Sequence, residues 1–144
     1  MSRSDSSPDL AAKFLEAHRV RYLIMIMSNP TFRDVWESWG QEQRMAFGRE
    51  HMALNRELQE SGEFVAGAAL ADPATAMRVS RSPSGEVIST DGPFAEAKEY
   101  LVGFLMVECA DESRAMEIAA QVPDAQYGEI EVRPLMQLKS VATG

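Results

Sequence analysis

Two stretches of the chain are apolar on both of their alternating faces. Arg21 to Met27 sets Tyr22, Ile24 and Ile26 against Leu23, Met25 and Met27, and Tyr100 to Cys109 is built the same way. A strand with two apolar faces must be covered on both sides, so both stretches are expected at the centre of a sheet. Asn29-Pro30 breaks the first. Between Trp36 and Glu60 the apolar spacing changes to that of a helix, with Gly40 and Gly48 as possible breaks. Phe47, His51, Leu54 and Leu58 form one stripe at i, i+4, i+7 and i+11, and Gly62 supplies the stop. Phe64 to Leu70 predicts a second strand, followed by the turn Asp72-Pro73. Ala76 to Arg81 and Glu86 to Thr90 flank Ser82-Pro83-Ser84-Gly85 and read as a hairpin.

After Cys109, Asp111 caps a second helix with Ala115, Met116, Ile118 and Ala119 as apolar positions, and Pro123 ends it. Glu129 to Leu138 is the last strand, with Ile130 and Val132 on one face and Glu131 and Arg133 on the other. The resulting order is β-α-β-(hairpin)-β-α-β. It predicts an α+β, ferredoxin-like antiparallel sheet with both helices on one face. Two helices cover only that face, yet the central strands are apolar on both. The second face therefore needs a partner, and the simplest is another copy of the same sheet, giving a homodimer packed sheet to sheet.

The 144 residues make one domain of ordinary size. Residues 1–19 read as an N-terminal extension, a Ser/Asp-rich tail and a short helix through Phe14 and Leu15. Residues 20–140 form the main domain. The formal net charge of −8, with no Lys/Arg-rich block, argues against direct binding to nucleic acid or to an anionic membrane surface. No apolar run approaches a membrane span, and the N-terminus carries no secretory signal. Cys109 is the single cysteine. It can form no disulfide within the chain and no metal cluster with the histidines, so a buried thiol in a cytoplasmic protein is expected. No spacing suggests a metal, and no phosphate loop, dinucleotide fingerprint or hydrolase elbow is present, so no cofactor is expected.

Candidate chemistry is sparse. His51 is the only histidine of the main domain, because His18 falls in the extension. Imidazole suits acid/base work near neutral pH. A half-buried core histidine with one hydrogen bond is the plainer reading of the same position. Asp91-Gly92-Pro93-Phe94 makes a rigid turn. Either the turn is all there is, or Asp91, Glu96 and Lys98 line a polar mouth beside the sheet. Glu131 and Arg133 share a face, where an ion pair is the plain reading and anion binding by Arg133 the sharper one. Trp36 and Trp39 either pack in the core or flank an apolar pocket.

The run Asp91-Gly92-Pro93-Phe94, with Glu96, Lys98, Glu99 and Gly103 after it and Glu131-Val132-Arg133-Pro134 near the end, resembles the DGPF subgroup of the YCII-related family. The likeness spans roughly Val20 to Leu138. It implies the dimeric α-β barrel arrangement. It also implies that His51, about three turns ahead of Gly62, pairs with an aspartate in the loop after the second strand, and Asp72 is the best match; if the chain is an enzyme, His51 is the acid/base and Asp72 or Asp91 the orienting carboxylate. Some relatives in the wider group are lyases acting on chlorinated aromatics, which implies elimination or isomerisation of a small oxygenated substrate. Other relatives resemble domains that accompany extracytoplasmic-function sigma factors, which implies a small-ligand-binding or regulatory module with a transcription-linked protein partner.

Overall fold

The computed structural model describes residues 19–92 and 98–137. The elements follow the expected order: β1 (Val20–Ser28), α1 (Pro30–Ser38), α2 (Gln41–Ser61), β2 (Phe64–Ala69), β3 (Met77–Arg81), β4 (Val87–Asp91), β5 (Tyr100–Cys109), α3 (Glu112–Gln121) and β6 (Ile130–Pro134). Short 3-10 turns cover Pro73–Thr75 and Pro123–Gln126. The four-stranded sheet runs β2-β5-β1-β6 with every pair antiparallel, and β3 and β4 form a separate two-stranded hairpin. This is the ferredoxin-like strand order, with the two doubly apolar strands in the middle.

The helical region begins earlier than its apolar spacing predicts. Asn29 accepts a hydrogen bond from the Phe32 amide, and Pro30 occupies the first turn, where its missing N–H costs nothing. The residues that break β1 thus start α1. Gly40 separates α1 from α2, while Gly48 stays inside α2. Gly62 ends α2 with a positive φ of 78°, which a side chain resists.

The core lies on one face of the sheet. Tyr22, Ile24 and Ile26 of β1 and Leu105, Val107 and Cys109 of β5 pack against Leu54 and Leu58 of α2 and Ala115, Ile118 and Ala119 of α3. Met116, expected on the apolar side of α3, is 56% exposed, because the buried stripe runs through 115, 118 and 119. On the opposite face Leu23, Met25, Met27, Phe104 and Met106 are only half-buried in one chain. β6 ends at Pro134, earlier than expected. Among the described residues no helix is long and apolar enough to cross a membrane.

Candidate functional site

A cleft of about 650 Å³ opens between the helices and the β2-β5 half of the sheet. Two features of the sheet make room for it. β2 offers only Gly67, Ala68 and Ala69 along that edge, and Gly103 of β5 lies so near β2 that an added Cβ would sit 2.9 Å from the Ala68 carbonyl oxygen. Aromatic rings from α1 and α2 build the facing wall. Phe32 stacks on Tyr127 at 4.7 Å, and Trp36, Trp39 and Phe47 meet edge-on or tilted at 5.5–5.8 Å between centroids. Trp36 and Phe47 line the cleft, so the two tryptophans pack together and one of them, Trp36, borders the cavity.

His51 projects into this cleft from the stripe on α2, with its ring edge-on to Phe47 at 5.1 Å. Its Nε2 lies 2.6 Å from Oδ1 of Asp124, whose side chain is only 7% exposed. A carboxylate accepts, so Nε2 donates, and in the neutral ring Nδ1 keeps the lone pair. Among the described residues nothing hydrogen-bonds to Nδ1. Asp124 is delivered by the 3-10 turn after α3, where its own carbonyl oxygen accepts from the Tyr127 and Gly128 amides. The turn is thus fixed from within, and the carboxylate is aimed at the ring.

The expected pairing of His51 with Asp72 needs correction. Asp72 does line the cleft, but its carboxylate accepts from the Ala74 amide at 2.8 Å and from Arg33 at 3.0 Å. The Ala74 amide, followed by Arg33, holds that carboxyl below the usual carboxylate range. The physical reason is local: an aspartate before Pro73 caps the 3-10 turn that follows it. Arg33 is in turn shared with Glu37 at 3.5 Å, and a hydrogen bond with Tyr100 pushes its basicity up.

Of the other candidates, Asp91, Lys98 and Arg133 are not among the residues that line this cleft. Asp91 is exposed at the end of β4, and Lys98 is exposed just ahead of β5. Glu96 lies outside the described residues, as do Pro93, Phe94 and His18. Arg133 pairs with Glu131 on its own strand at 2.6 Å, on the half-open face of the sheet. That is the plain ion pair considered from the sequence.

Sequence reasoning missed several groups that face the cavity. Asn55 is one turn beyond His51, and Arg44 falls at i−7 from it, so the helical stripe itself could have found both. Ser28 and Tyr100 are register partners at the ends of β1 and β5. Asp124 gave no signal, because its position depends on how α3 packs against α2. Cys109 is fully buried, and burial pushes its thiol up, as suits a structural residue.

The chain is 37% identical over 107 residues to an uncharacterized protein of Rhizobium meliloti (strain 1021), which covers 73% of this chain and 86% of that relative. A family model, that of the YCII-related domain, matches residues 20–139, nearly the whole of the described fold. By that match this chain belongs to the YCII-related family.

Proposed function

We propose that this chain is a small-molecule-binding protein of the DGPF subgroup, working in the cytoplasm as a homodimer, with the His51–Asp124 pair as the group that handles the ligand's proton. The observation that carries this reading is the 2.6 Å contact between Nε2 and the buried Asp124 at the wall of a cleft of about 650 Å³. That volume suits a compact organic molecule, and a mostly apolar lining with a few polar groups is the usual form of such sites. One hydrogen bond would also satisfy a half-buried core histidine; what favours a ligand is that this ring lines an open cleft while nothing among the described residues hydrogen-bonds to Nδ1. The Asp-Gly-Pro-Phe run supports the subgroup, and the half-open apolar sheet face supports the dimer.

The same contact favours a second reading, catalysis. Held by Asp124, the imidazole can take a proton from a carbon acid through Nδ1 and return it elsewhere on the same molecule, as an isomerase does. In an elimination the proton stays on the imidazole while the leaving group departs, and the ring then releases it to solvent.

The test is a fragment screen followed by NMR of the His51 ring in the labelled protein. Ligands of the cleft should shift the His51 ring signals, and His51→Ala should keep the fold but weaken those ligands at least tenfold. Binding that never perturbs His51, or that survives its removal unchanged, overturns the reading. Catalysis adds one requirement: a bound ligand must be converted, and His51→Ala must stop conversion more than it weakens binding.

A further inference from the structure

Among the described residues, the cleft holds one cation whose charge is not already spent. Arg33 serves Asp72 and Glu37 at the rim, and Asp124 is matched to His51. Arg44 instead donates Nε and Nη2 to the Trp36 carbonyl, at 3.2 and 2.9 Å, and its guanidinium lies 5.0 Å from the Trp36 ring centroid. Among the described residues it has no carboxylate partner. A guanidinium fixed by a carbonyl and an aromatic face is pre-set to receive an anion. The protein as a whole carries −8, which works against anions, so capture here depends on that local charge.

Two further groups narrow the ligand. Ser28 is 6% exposed, lines the cleft, and has no hydrogen-bond partner for its hydroxyl among the described residues. A buried hydroxyl without a partner is costly unless something polar occupies the space before it. Phe47, between Arg44 and His51 on α2, meets Trp36 at 67°, so the two rings make an angled apolar corner that a flat body can fill, face-on to one ring and edge-on to the other. Arg44 and His51 are about 10 Å apart along the helix axis by helical rise.

Building on the ligand-binding reading above, we infer that the cleft takes a flat, apolar-bodied carboxylic acid carrying a second oxygen function. Its carboxylate meets Arg44, its body lies against Trp36 and Phe47, and its distal oxygen faces Ser28 and His51. A hydroxylated aromatic acid has this form.

The experiment compares 4-hydroxybenzoate with 4-hydroxybenzamide on the full chain, by tryptophan fluorescence and by the His51 ring signals. The acid should bind the wild-type protein at least tenfold more tightly than the amide. Arg44→Gln should bring the two within about twofold, and Arg44→Lys should keep part of the preference. Equal binding of acid and amide by the wild-type protein, which needs no variant, overturns the inference; if both still shift His51, the ligand-binding reading survives. A preference that persists in Arg44→Gln also overturns it. If neither probe shifts His51, the carboxylate inference falls, and the wider fragment screen alone decides whether the cleft binds anything.

Discussion

At the residue scale the molecule separates two kinds of carboxylate. Asp124 is buried and holds a histidine in a cleft; Glu63 is buried and holds a partly exposed arginine of α3. Glu63 accepts from Arg114 Nη2 at 2.8 Å and Nε at 2.9 Å, and from the Ser61 hydroxyl at 2.7 Å. The Arg114 hydrogen bonds, above all, hold its carboxyl below the usual range. A folded-state pKa held down adds stability that is fully present above the unfolded value of about 4.3. That stability is lost as pH falls through the lower folded value. We therefore predict that unfolding free energy declines below about pH 5 and that Glu63→Gln shows a shallower acid limb in urea titrations. At neutral pH the same change should cost roughly 1–3 kcal/mol, less than a fully buried pair, because the Arg114 side chain is 35% exposed. For the other carboxylate, Asp124→Ala removes one charge-assisted hydrogen bond, worth about 1.5–3 kcal/mol. It should also release the His51 ring from a single tautomer, which the ring nitrogen shifts report. An unchanged tautomer would mean that Asp124 does not orient the ring. His51 was legible in the sequence because a titratable residue on an apolar helical stripe stands out. Its partner was not, since the two are joined only by tertiary packing across a chain separation of 73 residues.

At the element scale the pattern of apolar positions was a reliable guide for the elements that meet the core, save for Met116 on α3. β5 runs from Tyr100 to Cys109 as its doubly apolar pattern requires, and α3 starts after the Asp111 cap, whose side chain accepts from the Arg114 amide at 2.9 Å. Reading failed where capping outweighs periodicity. α1 is short and begins at Asn29-Pro30, a pair that reads first as a strand terminator. The cleft itself was only half legible. Its helical wall follows from the α2 stripe, but its floor depends on how closely β2 approaches β5, and no spacing reveals that. Gly103 is the test of this floor. Its missing Cβ would sit 2.9 Å from the Ala68 oxygen, a backbone atom with little freedom to yield. Gly103→Ala should therefore push β2 outward, costing about 1–3 kcal/mol as overpacking does. Amide exchange across Gly67–Ala69 should rise, and fragment binding in the cleft should weaken. A variant with wild-type exchange in β2 would show that the strands can absorb the methyl group.

At the scale of the whole molecule one face of the sheet stays unresolved by a single chain. Leu23, Met25, Phe104 and Met106 form an apolar strip there, bordered by the Arg21–Glu108 pair at 2.9 Å and the Arg133–Glu131 pair at 2.6 Å. Each charge at the border is already neutralised within its own chain. A two-fold axis can therefore lay this patch on its own copy without setting unpaired like charges against each other. That is the physical case for the proposed dimer, an expectation that the doubly apolar strands raise from the sequence. The register sharpens the test. Met25 lies directly opposite Glu131 and Leu23 opposite Arg133. An aspartate at 25 meets a like charge on the neighbouring strand, whereas one at 23 meets a guanidinium. Both would bury a carboxylate in an apolar interface, which costs several kcal/mol when it is unpaired. Met25→Asp is thus expected to give monomers at micromolar concentration in sedimentation velocity runs. Leu23→Asp should weaken the dimer less, because Arg133 can pair with it. If both variants sediment as dimers of wild-type stability, the contact between copies lies elsewhere, and the apolar strip needs a different cover.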